Sequence, residues 1–339
     1  MEPNFRLTVL NPGGRDAAQD FPDAAGETAL PHPPTNFHAY AACTRGSFQR
    51  ETRDAAAQGT AVLLLLRGDF RASERALETL QKAGRFVAVS LKETGLHQIA
   101  DQLHNSARLA RFLRIVKKAN ACLAPTPEAA DLYRAVRGPE RVAFIPTPYP
   151  VDDRRWDFSR PIEQRAGIFI GTREWDVPSR NHLAALFVAR RLAESTGEPV
   201  TVFDYEGRKG ARLFAELGFG AGKLRVLNKT LAYPDYLREI ARHKIVLQLD
   251  TSFVPGQVAG DALLCRVPCV GGNGAIDRLA FPETCGLARS IAEMEALASQ
   301  LLTDGNFYQA SITAMIPAAK KVLGFDVVAK QLAEFFKPT

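Results

Sequence analysis

Short apolar runs alternate with amphipathic stretches along the whole chain. RLTVLNP (6–12), TAVLLLL (60–66), RFVAVSLK (85–92), ACLAP (121–125) and RVAFIPTPYP (141–150) read as strands. Between them, 36–59 reads as a helix with its approach and SERALETLQKAG (73–84) as a helix closed by glycine. Segment 97–120 reads as one or two helices, and PEAADLYRAV (127–136) as a helix with proline near its start. Uninterrupted apolar strands separated by helices are the pattern of a parallel sheet covered on both faces.

The rhythm breaks over 149–166, YPVDDRRWDFSRPIEQRA, which is polar and proline-containing and reads as a linker. It then restarts. GIFIG, VTVFDY, LRVLN, IVLQLD and PCVGG read as strands; RNHLAALFVARRLAEST, GARLFAELG, YPDYLREIARHK, GQVAGDALLCR and SIAEMEALASQLLTD read as helices, with a last helix over 318–336. The expected organisation is an N-terminal α/β domain (1–155), a C-terminal α/β domain (156–315) and a closing helix (316–339). Two doubly wound α/β domains place the carboxyl ends of their strands toward ligand, here expected in a shared cleft.

Composition narrows the class. Of 339 residues, 46% are hydrophobic and 24% charged, as in an ordinary globular protein. No apolar run approaches a membrane span, and the N-terminus lacks the layout of a signal peptide, so a cytoplasmic protein is expected. The five cysteines (43, 122, 265, 269 and 285) sit mostly in apolar segments and read as packed thiols, not as a metal site. A net charge of +6 suits an anionic ligand, and no nucleic-acid-binding motif is present. The helix within 105–120 carries Arg108, Arg111, Arg114, Lys117 and Lys118 opposite apolar residues. It reads as a solvated face or as a peripheral contact with anionic lipid at the inner membrane face.

Three stretches of the second half carry a resemblance. GIFIGTREWDVPSRNHLAAL sets Arg173, Arg180 and Asn181 between a strand and a helix; VPGQVAGDALLCRVPCV sets Gly256, Gln257 and Asp261 before a Pro-led strand; GGNGAIDRLAFPE follows with Gly271, Gly272, Asn273 and Gly274. Over roughly 167–336 the chain resembles the donor domain of GT-B-fold glycosyltransferases of the retaining "group 1" class, with two Rossmann-like domains. The resemblance implies that Arg173 and Arg180 grip the donor diphosphate and that Asp261 holds the ribose as the second acid of a Glu-x7-Glu element. It also implies that the glycine loop borders the donor. Phe253 stands at the first acid of that element, so Thr251, Ser252 or Gln257 is left to contact the donor sugar.

In the first half, Gly13 and Gly14 after the first strand are candidates to present backbone N–H groups to the donor. His97, just past a strand with Lys92 and Glu93, is the candidate acceptor-side base; His32, His38 and His104 are rivals. The implied activity is metal-independent transfer of a hexosyl group from a nucleotide-diphosphate sugar, a co-substrate and not a bound cofactor. The implied acceptor is a glycan or a lipid-linked molecule, in bacterial surface polysaccharide or glycoconjugate synthesis. A sugar-nucleotide epimerase or hydrolase, and a non-catalytic nucleotide-binding partner subunit, are the alternatives.

Overall fold

The computed structural model describes residues 5–24, 32–172, 175, 177–204 and 208–337. The chain forms two compact units: Met1–Arg155 with Phe253–Pro255 and Lys321–Thr339, and Trp156–Ser252 with Gly256–Lys320.

The strands of the first unit are β1 (Leu7–Leu10), β2 (Gln19–Asp20), β3 (Ser47–Gln49), β4 (Ala61–Leu66), β5 (Phe86–Leu91), β6 (Ala121–Ala124) and β7 (Val142–Phe144). They form one sheet in the order β2-β3-β1-β4-β5-β6-β7, parallel except for β2. Period-two alternation divides β4 between two cores. Val62, Leu64 and Leu66 pack with Leu77, Phe112 and Tyr133 of the helices Arg71–Lys82, Ser106–Lys118 and Pro127–Arg137. Ala61, Leu63 and Leu65 face the opposite core, with Tyr40 of helix Asn36–Cys43 and Val328 and Leu332 of helix Phe325–Phe335.

The second unit contains β8 (Ile168–Ile170), β9 (Val200–Phe203), β10 (Leu224–Leu227), β11 (Ile245–Leu247) and β12 (Cys269–Val270), all parallel in the order β10-β9-β8-β11-β12. One face packs on helices His182–Thr196 and Ile291–Thr303. On the other, Phe169 and Phe203 meet Tyr236 of helix Tyr233–Ile240. In the second sheet the chain runs outward from β8 through β9 to β10 and restarts at β11 on the other side. In the first, the parallel strands put β3 on one side of β1 and β4 to β7 on the other, with antiparallel β2 at the edge beyond β3. The resulting switch points lie between β1 and β4 and between β8 and β11, the places where doubly wound sheets bind ligands.

Four sequence expectations change. Segment 36–59 is not one helix: β3 separates Asn36–Cys43 from Thr52–Gln58, and three residues are too few to show a period. GGNGAIDRLA is not only a loop, since Ala275–Ala280 is helical. The last helical region starts at Gly305 and not at 318, while the interruption that GFD signals in the sequence is present, with Gly324 extended between Leu323 and Phe325. The expected linker also has a packed role: Trp156 is fully buried, with its ring 6.0 Å from that of Tyr233.

Candidate functional site

The loops leaving β8 and β11 are stitched together at the switch point of the second unit. Ser179 Oγ lies 2.8 Å from Ser252 Oγ, and the Thr251 amide donates to the Ser179 carbonyl at 2.8 Å. Asn181 Nδ2 donates to the Leu249 carbonyl at 2.9 Å. Arg180 pairs with Asp250, their side chains 16% and 3% exposed. Asp250 is fixed in turn by the Ser252 amide, which donates to Oδ1 at 2.8 Å. Arg180 therefore stands, positioned by a buried carboxylate, just before the 15-residue helix His182–Thr196. There its guanidinium adds to the positive end of a helix dipole. Arg173 lies outside the described residues.

Sequence reading passed over two neighbours of this cluster. His182 begins the helix, 3% exposed, with Nδ1 3.0 Å from Thr172 Oγ1 and the Trp175 ring edge-on at 4.1 Å. Its Nε2 has no partner among the described residues, and burial pulls its pKa down to about 4, leaving a neutral ring. The other is Asp277, 2% exposed within Ala275–Ala280, whose Oδ1 accepts from Gln248 Nε2 at 2.8 Å. Burial, and then the charge of Asp250, raise its pKa to about 7.

Asp277 gives the glycines a packing role. A Cβ on Gly272 would stand 2.2 Å from Asp277 Oδ1 and 2.5 Å from Gln248 Nε2. One on Gly256 would stand 2.9 Å from Asp277 Oδ2, and one on Gly271, which has φ +92°, would stand 2.2 Å from the Gln248 carbonyl oxygen. The bare backbone at these three positions is occupied by protein atoms around a buried carboxyl group. Gly272→Ala is therefore expected to destabilise the chain by about 1–3 kcal/mol, the usual cost of overpacking, measurable by urea denaturation. Gly274 caps the helix Ala275–Ala280, and the Asn273 amide donates to the Asp250 carbonyl at 3.0 Å.

Asp261 does not lead its helix. Gly256, at φ +94°, is the N-cap of Gln257–Leu264, and Asp261 is the fifth helical residue, 2% exposed. The helix falls within GQVAGDALLCR, as expected, and carries the carboxylate a full turn inside its start. The Tyr233 hydroxyl donates to Asp261 Oδ1 at 2.5 Å. Gln257, one turn earlier, is half-buried. Phe253 takes φ +52°, a left-handed conformation uncommon for an aromatic residue.

In the first unit, Gly13 takes φ +69° in the turn after β1, and Arg67 donates to its carbonyl at 3.2 Å. A Cβ on Gly14 would meet the Asn11 side chain at 2.4 Å. Asn11 is fully buried, and neither side-chain polar atom has a partner among the described residues. His97 is half-buried on helix Leu96–Leu103, and His104 is exposed with Nδ1 against the Asp101 carbonyl. Part of the basic face of Ser106–Lys118 is paired: Arg111 and Arg114 share Glu74 at 3.2 and 3.0 Å, and Lys118 meets Glu78 at 2.9 Å. No helix among the described residues is long and apolar enough to cross a membrane. All five cysteines are buried and free.

No protein-family model matches the chain, and no curated protein matches it in sequence. Solved structures match in fold. A sucrose-phosphate synthase from Thermosynechococcus elongatus superposes with a TM-score of 0.64 at 14% identity, covering 98% of both chains. An α-glucosyltransferase in complex with UDP and a 13-mer DNA gives 0.63 at 9% identity, covering 98% of this chain and 99% of that one. A structure from Listeria monocytogenes assigned as a UDP-N-acetylglucosamine 2-epimerase gives 0.50 at 16%, covering 80% and 72%. The two α/β units, each built on a doubly wound sheet, and these likenesses give the chain the GT-B fold.

Proposed function

We propose that the chain is a glycosyltransferase that moves a sugar from a nucleotide-diphosphate donor to an acceptor hydroxyl. The observation that supports this most is Arg180, positioned by buried Asp250 at a helix start on the switch point of the second unit. Transfer breaks the bond between the anomeric carbon and a diphosphate oxygen, and the electron pair stays on the diphosphate. The acceptor oxygen bonds the anomeric carbon and gives up its proton. Arg180, with Arg173, meets the charge gathering on the leaving diphosphate, an interaction stronger in the transition state than in the ground state. In this reading guanidinium groups and the helix dipole carry that role without a metal ion.

Gln257 and Asp261 lie four residues apart on one helix and so share a face. We assign Asp261 to the ribose hydroxyls, Gln257 to the donor sugar, and Gly271, Gly272, Asn273 and Gly274 to the border of the donor. Gly13 and Gly14 are proposed to contact the donor through backbone N–H groups, and His97 to serve the acceptor. The likeness to the α-glucosyltransferase captured with UDP supports a nucleotide ligand, and its DNA substrate is not carried over to this chain.

The likeness to an epimerase structure keeps a second reading in view. Product analysis separates the two. Incubation with a nucleotide sugar is expected to release nucleoside diphosphate only when an acceptor is added, with the sugar recovered on that acceptor. Free sugar or an epimer formed without acceptor would overturn the transferase assignment.

A further inference from the structure

The first unit holds a polar cavity of about 210 Å³ at the carboxyl edge of its sheet, next to the switch point between β1 and β4. Its walls include Asp16 beyond β1, Phe48 of β3, Lys92 just past β5, His32, and Thr35 and His38 at the start of helix Asn36–Cys43. This is room for a ligand the size of a single sugar ring.

Its parts are held in place. The His38 ring lies between those of His32 and Phe48, with centroids 4.7 and 3.8 Å away and planes 17° apart in both cases. Gln19 fixes His32 by accepting from its amide and donating to its carbonyl, both at 3.1 Å, while the Ala17 amide donates to His32 Nε2 at 3.2 Å. His38 is only 8% exposed, yet its Nε2 has no partner among the described residues. Buried polar atoms in native proteins are almost always paired, so an orphaned ring nitrogen in a cavity wall points to a ligand. Burial keeps this ring neutral, with its pKa down to about 4, so Nε2 can pair with a hydroxyl or a phosphate oxygen.

The other groups specify that ligand. The Lys92 side chain is 28% exposed, and its one ion pair among the described residues is a long contact of 3.4 Å with Glu93. The N-cap Thr35 makes no side-chain capping bond to the first turn of Asn36–Cys43. A lysine and an uncapped helix start together favour an anion. Asp16 would repel that anion but accepts bonds from hydroxyls. We propose that this cavity binds a free sugar phosphate, with the phosphate on Lys92 and the helix start, and the ring hydroxyls on Asp16 and His38. Its use as the acceptor rests on the transferase reading; its binding does not.

The test is calorimetric titration of the full chain with glucose 6-phosphate, fructose 6-phosphate and ribose 5-phosphate. Glucose, inorganic phosphate and phosphatidylinositol vesicles serve as comparisons. At least one sugar phosphate is expected to bind tenfold or more tightly than glucose or phosphate alone, and the vesicles are expected not to bind. Lys92→Met and His38→Phe, the latter preserving the ring stack, should each weaken that binding at least tenfold; Lys92→Arg should retain most of it. Should His38→Phe fail to fold, the exposed Lys92 variants decide the matter. Equal or absent binding across the panel, preference for the vesicles, or indifference to Lys92→Met would overturn the proposal. A parallel titration with UDP, GDP, ADP and TDP separates the two failures: nucleotide binding without sugar phosphate sinks this proposal alone, and the reverse sinks the donor reading alone.

Discussion

Arg180→Ala is expected to lower kcat/KM for sugar transfer by about 100- to 1,000-fold, the usual effect of removing one donor to a developing oxyanion. It should also lower stability. Asp250 is buried, and breaking a buried pair by removing one partner typically costs about 3–5 kcal/mol. One variant therefore confounds catalysis with folding, and a second separates them. Combining Arg180→Leu with Asp250→Asn removes both charges and keeps an acceptor for the Ser252 amide. The double variant should recover most of the stability while remaining inactive. If activity returns with stability, Arg180 is a structural residue. Arg180→Lys should retain part of the fold stability but little activity, because an ammonium lacks the planar fork that grips two phosphate oxygens.

Asp277→Asn is expected to stabilise the protein above neutral pH. The folded-state pKa of Asp277 is raised to about 7 by burial and by Asp250, against 3.8 for the ordinary carboxyl group. Between those values the folded protein keeps the proton while the unfolded chain has lost it. Stability therefore falls as pH rises from about 4 to 7 and levels off above. At about 1.36 kcal/mol per pKa unit, this one group contributes a decline of about 4 kcal/mol. Asp277→Asn keeps an oxygen for Gln248 and has no proton to lose. Urea denaturation from pH 4 to 8 should show a decline in the parent chain and a much flatter profile in the variant. Equal slopes in the two proteins would show that the Asp277 carboxyl titrates normally.

The fold was legible because its strands are unambiguous. AVLLLL is apolar at every position since β4 is buried on both faces, and its length bounded by Gly59 and Arg67 makes it a strand. Ser47–Gln49 escaped because a three-residue strand with two polar residues has no period to read. The candidate site was only partly legible. Arg180 was identifiable as a cation between a strand and a helix, but its partner lies 70 residues away at the end of IVLQLD. Asp277 in AIDRLA looks like an ordinary acid in a first helical turn, and nothing local indicates that Gly256 and Gly272 close around it. Sequence shows that glycines are needed there; whether they make room for a ligand or for a side chain is decided by tertiary packing. His38 was one of four rival histidines, and only the ring stack with His32 and Phe48 distinguishes it.

The most direct test of the central claim is a thermal-shift titration of the intact chain with UDP, GDP, ADP and TDP and their sugars. A ligand bound only by the folded state stabilises it by about 2.7 kcal/mol at a hundredfold excess over Kd. The account predicts that one base gives a saturable rise in Tm, and that Arg180→Lys largely abolishes it. A chain indifferent to every nucleotide would contradict the account.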